Sequence, residues 1–425
     1  MRLNKLAVHA AGAAFAFGAM PAAQAVDMKA GDWTFSVNGN VNAHYVNVSC
    51  DDGGRAGGVA LGVACAQNAN SGEDQFSNVR TGLLPAAIVF TVATQQNGWD
   101  VSGTFGFYPG IVSNDGGSPN LQQGTGGSAA LAPGAANVGL ATTGLDVRQT
   151  FLKFGSANFG TVKMGRDFGL FGFDAIINDM TIPGVGASPN AVGAPANTSL
   201  GSIGLGYIYT DTLAQINYTT PDFSGFTATA GIFQTVDSLT AATSLNVAES
   251  APGFHGQLRY AWGSGFVSAN GISMDVDCTA DAVAGDGVCV EEDATGFDVN
   301  YKQAFGPLEL LLSYYTAEGL GTTALLVGGF DATGAQRDSD GGLAQLTFTA
   351  GATKYGINYG ESNLDANAGD GPGLVSKNSK ITAGVYHSLT PNLTLLAEYS
   401  DVESEAQDGG TIEADNFNVG AFFAF

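Results

Sequence analysis

Nowhere does the chain hold eighteen consecutive apolar residues, so no membrane-spanning helix is predicted. The longest run beyond the amino-terminal stretch, "GLLPAAIVFTVA" (82–93), is too short for one and contains Pro85. Charge is scarce: Asp, Glu, Lys and Arg make up 13% of the residues, against roughly 25% in a soluble globular domain. Positive charge is scarcest, with 15 Lys and Arg against 39 Asp and Glu and a formal net charge of −24. Nucleic-acid binding needs basic patches, and this balance argues against it. Catalytic signatures are missing too, since no GxSxG element, phosphate loop or His pair at metal spacing occurs. His44, His255 and His387 are isolated, and the neighbouring Glu291 and Glu292 lack an apolar setting that would raise a pKa. No enzyme activity, cofactor or metal site is expected. The four cysteines include no CxxC spacing, which disfavours zinc.

What the chain has begins with "MRLNKLAVHAAGAAFAFGAMPAAQA" (1–25). Arg2 and Lys5 precede an apolar stretch that closes on the small residues "AQA". That pattern reads as a secretory leader, with the mature chain starting at Val26 and a single domain over 26–425. In an exported chain the local pairs Cys50 with Cys65 and Cys278 with Cys289 read as disulfides that staple loops. Hydrophobic residues reach 44% and glycine numbers 62, a composition of many strands joined by tight turns.

Alternation is strict in these segments. In "WTFSVNGNVNAHY", Trp33, Phe35, Val37, Val41, Ala43 and Tyr45 share one face, while Asn38, Asn40, Asn42 and His44 share the other. "FHGQLRYAW" sets Phe254, Leu258, Tyr260 and Trp262 against His255, Gln257 and Arg259. "KYGINYG" opposes Tyr355, Ile357 and Tyr359 to Lys354 and Asn358, and "FDVNYK" repeats the scheme. The count gives sixteen strands, from 33–48 to 416–425. Tight turns such as "QQNG" (95–98) and "GSAN" (155–158) alternate with long connectors. The long ones are 49–75, 109–144, 167–211, 237–253, 277–295, 318–341, 363–378 and 403–415. A soluble sandwich or propeller would bury its apolar faces against another sheet, whereas a membrane barrel turns them to lipid and keeps polar faces inside. Arg148, Lys163, Arg259, Lys302, Lys354 and Glu398 on the polar faces suit a wet lumen, and the short/long alternation puts all long loops on one side. The expected fold is therefore all-β: a closed antiparallel transmembrane barrel of sixteen strands. Its last strand, "NFNVGAFFAF", would show Phe417, Val419, Phe423 and Phe425 to lipid.

Three segments then resemble the general trimeric porins of the Gram-negative outer membrane. They are "VRQTFLKFGSANFGTVKMGRDFG" (147–169), "INYTTPDFSGFTATAGI" (216–232) and the closing "NFNVGAFFAF". The resemblance implies short periplasmic turns, long extracellular loops, a homotrimer, and Phe423 and Phe425 as the signal read by the barrel-assembly machinery. One departure stands out. The second strand, "RTGLLPAAIVFTVA" (80–93), is apolar in both phases and implies either a bulge at Pro85 or a subunit contact.

The resemblance further implies a third loop, 167–211, folded into the lumen. Its acids would be Asp167, Asp174 and Asp179, facing wall bases Arg148, Lys163, Arg166 and Arg80. Opposed charges across a narrow wet gap make a transverse field that sorts solutes by charge and dipole. The acids of "EEDATGFD" and "DVESEAQDGGTIEAD" read as a solvated, repelling rim, with divalent cations bridging loops or lipopolysaccharide phosphates as the alternative. The function expected is passive diffusion of small hydrophilic solutes and ions through a water-filled channel with weak cation preference. A barrel serving adhesion or structure through its loops is the rival reading.

Overall fold

The computed structural model describes residues 25–51, 58–65, 74–111, 145–188, 198–236, 251–276, 292–331 and 333–425. Cys278 and Cys289, the leader 1–24 and most of the second long connector lie outside those residues. The described residues form eighteen strands. They begin with β1 (Val26–Ala30), β2 (Trp33–Asp51), β3 (Gln75–Arg80), β4 (Ala87–Gln96), β5 (Trp99–Pro109), β6 (Leu145–Ser156) and β7 (Gly160–Phe168). After the short helix α1 (Phe173–Asn178) come β8 (Thr212–Thr219), β9 (Phe226–Phe233), β10 (Gly253–Trp262), β11 (Gly265–Val276) and β12 (Glu292–Phe305). The last are β13 (Leu308–Glu318), β14 (Asp338–Ala350), β15 (Thr353–Leu364), β16 (Val375–Ser388), β17 (Leu393–Ala406) and β18 (Thr411–Ala424).

From β4 to β18 each strand pairs antiparallel with its successor. The sheet closes where β18 pairs β2, from Glu413 opposite Asp51 to Ala424 opposite Asn40. The eighteen strands occupy sixteen positions, because two are subdivided. Strands β3 and β4 lie end to end beside β2, Arg80 opposite His44 and Ala87 opposite Asn40. Strand β1 pairs Trp33 and Val37 of β2 and so continues the line of β18 beyond the chain's last residue. Phe425 itself exchanges two backbone hydrogen bonds with Gly39, at 2.8 and 3.0 Å. Closure of β18 on β2 leaves the described wall without an open seam, the condition hydrocarbon imposes.

Side chains follow the two-residue period. Val41, Ala43 and Tyr45 are exposed, and Asn40, Asn42 and His44 between them are buried. Tyr355, Ile357 and Tyr359 on β15, and Phe417, Val419 and Phe423 on β18, likewise point outward and are each roughly half exposed. Rows of exposed aromatic and branched side chains at this spacing need a hydrocarbon surround, because water would penalise each of them. Turn chemistry fits as well. Between β4 and β5, Asn97 (φ 52°) and Gly98 (φ 81°) take the left-handed backbone that a two-residue type I′ hairpin requires.

Two expectations are corrected. The connector read as 403–415 is only 407–410, since β17 and β18 run on to Ala406 and from Thr411. Alternation explains it: Val402, Ser404, Ala406, Ile412 and Ala414 are buried, so the acids between them take outward positions on the wall. The polar inner face is also less uniform than alternation implied. Leu311, Leu343, Tyr386, Leu396 and Phe422 point inward and join a buried apolar cluster with residues of segment 169–211.

The bridge Cys50–Cys65 is formed. It ties residues 58–65 to the rim, where the backbone of Val63 donates to Asn378 Oδ1 (3.1 Å) and Ser404 Oγ (2.9 Å).

Candidate functional site

Segment 169–211, between β7 and β8, is hydrogen-bonded through its described residues to inward-pointing side chains on β10, β12, β14, β15, β16, β17 and β18. It enters along α1, whose Asp174 is buried and meets Arg259 of β10 at 2.5 Å and Gln257 at 3.1 Å. One turn on, Asn178 Oδ1 accepts from Lys302 of β12 at 3.1 Å. The Met180 backbone N–H then donates to Gln345 of β14 at 2.6 Å.

Beyond α1 the backbone is held by a single carboxylate. Glu398 of β17 accepts the N–H groups of Val185 and Gly186, each at 2.9 Å, the Tyr386 hydroxyl at 2.7 Å and the Asn418 amide at 3.0 Å. Ser188 N–H donates to Asn416 of β18 at 3.0 Å. The returning limb is fixed by Lys380 of β16, which donates to Gly201 O at 2.7 Å and Ser202 Oγ at 2.8 Å.

The break in the second strand position belongs to the same construction. Residues 81–86 leave the wall and turn inward. Leu83 N–H donates to Gly184 O (2.7 Å), Leu84 N–H to Ile182 O (3.0 Å), and Ser199 N–H to Gly82 O (3.2 Å). Gly82 is needed at that approach, since a Cβ there would collide with the Gly184 carbonyl. This inward turn just ahead of Pro85 accounts for the apolar residues in both phases: Leu83 and Leu84 face the interior segment, not lipid.

The residues expected at a constriction are distributed differently. Arg80 is fully buried and donates to Ser188 Oγ at 3.0 Å and to Thr198 O, so it ties the two limbs of the segment. Arg148 lies over the Tyr108 ring, 5.2 Å from its centroid, with Asp146 at 3.4 Å and the Tyr209 hydroxyl at 3.5 Å. Asp167 is a β7 residue and not a loop acid; it pairs with Lys163 at 2.7 Å, four residues earlier on its own strand. Arg166 follows Gly165 (φ 126°) on β7, and its Nη2 has no hydrogen-bond partner among the described residues. Asp179 accepts from Thr181 (2.9 Å), Tyr207 (2.8 Å) and Asn358 (3.3 Å), all neutral donors.

Asp174 and Asp179 therefore face β10 and β15, while Arg148 and Lys163 stand on β6 and β7. Side chains not singled out as site residues occupy the gap. Arg259, Lys302 and Lys354, with Lys153 and Lys163, form a basic row. Each lies within three residues of the short-turn end of its strand. Lys302 is paired with Glu309 at 3.1 Å, and Lys354 lies 5.0 Å from the Tyr386 ring centroid. Their polar strand phase was the signal that could have placed them here.

Comparison with known proteins follows this geometry. The family described as Gram-negative porin matches residues 7–407. No curated protein matches the chain. Among solved structures, the outer membrane channel DcaP of Acinetobacter baumannii is similar at 12% identity and a TM-score of 0.65, over 94% of this chain and 99% of that one. OmpF of Salmonella typhi, in complex with daunomycin, is similar at 14% identity and TM-score 0.55, over 94% and 100% of the two chains. The trimer form of OmpT from Vibrio cholerae gives 16% identity and TM-score 0.52, over 92% and 99%. Likeness at these identities speaks for the fold, and the family match over nearly all of the sequence speaks for descent: the chain belongs to the Gram-negative porin family.

Proposed function

We propose that this outer-membrane channel is a passive, water-filled pore for small hydrophilic solutes and ions, narrowed by segment 169–211, and that it works as a homotrimer. The observation that carries the reading is the set of hydrogen bonds from that segment to the wall strands β10, β12 and β14 to β18. A barrel of sixteen strands encloses more width than its own side chains fill. A loop bonded across it sets the width that remains. Asp174 and Asp179 stand on one side of the narrowing, and Arg259, Lys302, Lys354 and Lys163 line the wall around it. Arg148, Arg166 and Asp167 complete the charged surround, and Arg80 holds the loop in place. The trimer is supported by the trimer form of the similar OmpT. Export through residues 1–25, recognition of Phe423 and Phe425 by the assembly machinery, and contact with outer-membrane lipid and lipopolysaccharide belong to the same proposal.

The weak cation preference is proposed as the balance of two opposed zones. Acids at the loop end of β17 and β18, with Glu403, Glu405, Glu413 and Asp415 pointing outward, raise the local cation concentration near the mouth. The basic row near the short-turn end opposes it. Single-channel recording in a planar bilayer, with the reversal potential across a salt gradient, tests both parts. A steady ohmic conductance with a small cation-selective potential is expected. No conductance would refute the pore, and clear chloride selectivity would refute the balance.

A further inference from the structure

Residues 58–65 are bonded to the loop end of the wall along their length. Cys65 closes on Cys50 of β2, and the Ala64 N–H, like that of Val63, donates to Ser404 Oγ of β17 at 2.9 Å. Just ahead of β16, Ala60 N–H donates to Gly373 O and Val375 N–H to Ala60 O, each at 2.9 Å. Leu61 stands apart from these anchors. Its φ of 65° is left-handed, a backbone that costs a side chain free energy and persists where the surroundings impose it. In that conformation its Cδ1 lies against Gly328, where a Cβ would collide with it.

Gly328 belongs to loop 319–337, between β13 and β14. Arg337 fixes this stretch by its carbonyls, with Nη1 donating to Gly328 O at 2.9 Å and to Phe330 O at 2.6 Å. The same loop grips the interior segment. Tyr209 N–H donates to Thr323 O at 2.9 Å, and Tyr209 forms a parallel bridge with Ala324. Leu320, Leu325 and Phe330 share a buried apolar cluster with Phe171 and Ile208. Contacts therefore run unbroken from the Cys50–Cys65 bridge to the limb that returns to β8. Residues 185–188 are held separately, on Glu398 and Asn416.

We propose that residues 58–65 are an outer strap that holds the returning limb of the interior segment in place through loop 319–337. Coupling of the two ends needs an element that both of them bias, and loop 319–337, touched by Leu61 at Gly328 and by Tyr209 at Thr323, is that element. Any effect of the strap on current rests on the channel reading given above, whereas the coupling does not.

Hydrogen exchange on the full chain in detergent micelles tests it. Leu61→Asn removes the contact with Gly328 yet suits the left-handed backbone, and a side chain already 39% exposed leaves little void. Protection at 207–211 should fall about tenfold, the scale of losing a half-buried leucine contact, with 58–65 and 185–188 unchanged. Leu61→Ala, which keeps the unfavourable backbone, should loosen 58–65 as well. Unchanged protection at 207–211 in both variants, or an equal fall at 185–188, overturns the proposal. The unmodified protein supplies a second reading. As denaturant is added, 207–211 and 325–330 should open together with one free energy, apart from 185–188, and separate openings overturn the coupling. In bilayers Leu61→Asn should add excursions to higher conductance. Steady current despite faster exchange at 207–211 would count against the channel reading alone, and the exchange data would still decide the strap.

Discussion

Replacing Glu398 should unseat the interior segment without disturbing the wall. Its carboxylate is 2% exposed and accepts four hydrogen bonds, two of them from the consecutive backbone N–H groups of Val185 and Gly186. Glu398→Ala leaves those two donors buried and unpaired, at about 1–3 kcal/mol each, so a total near 4 kcal/mol is expected after partial relaxation. Glu398→Gln keeps one acceptor oxygen and loses mainly the charge assistance, about 1–2 kcal/mol. At 1.36 kcal/mol per tenfold, the unseated population rises about a thousandfold for Ala and about tenfold for Gln. Single-channel recording reads that population as excursions to higher conductance, far more frequent in Ala than in Gln. The melting of the barrel moves little, because the ladders of β17 with β16 and β18 are intact in both variants. If Glu398→Ala gives wild-type conductance and noise, the segment either stays seated without this anchor or lies outside the current path, and the reasoning fails.

Three further outcomes follow from the same contacts. Lys302→Gln with Lys354→Gln removes two inner cations while leaving the outer acids, so the reversal potential should shift toward cation selectivity; a shift toward anions would contradict the opposed-zone picture. The loop residues Asp331 and Asp370 both have pKa values held below the ordinary carboxylate range, Asp331 by bonds from Thr333, Asn367 and Ala335 that outweigh its desolvation and Asp370 chiefly by Arg337. The stability they lend is present above the unfolded-state value near 3.9 and lost as pH falls through the lower folded value. Protection factors at 329–337 and 365–371, corrected for the intrinsic exchange rate at each pH, should fall between pH 6 and pH 3, and unchanged protection factors would refute the clasp. Cys65→Ser opens a bridge with a sequence separation of 15, a loss of about 3 kcal/mol. Proteolysis within 58–65 should then speed up before any change in the barrel, and equal rates would show that the backbone bonds of Val63 suffice.

The strand framework was legible because lipid outside and water or polar contacts inside force a two-residue period, as at Val41 to Tyr45 and Phe417 to Phe423. The inward turn at 81–86 was half legible: Pro85 and the double apolar phase marked a break, yet only the fold reveals that Leu83 and Leu84 pack on residues a hundred positions later. Ion pairs were the least legible. Asp174 and Arg259 are 85 residues apart, and nothing local assigns one to the other. Acid density misled at 401–415, where the buried Ser404, Ala406, Ile412 and Ala414 carry a strand phase that the charges between them obscured. Asp167 was taken for a loop residue because the resemblance set the start of the third loop at 167, whereas β7 continues to Phe168.

Spin labels placed in turn at positions 354, 355, 357 and 359 of β15, in the protein reconstituted into lipid, test the orientation of the wall most directly. Labels at Tyr355, Ile357 and Tyr359 should relax with oxygen, which concentrates in hydrocarbon, and the label at Lys354 with a water-soluble nickel chelate. Reversed accessibilities, or water contact at all four positions, would contradict a barrel whose apolar rows meet lipid and whose interior conducts.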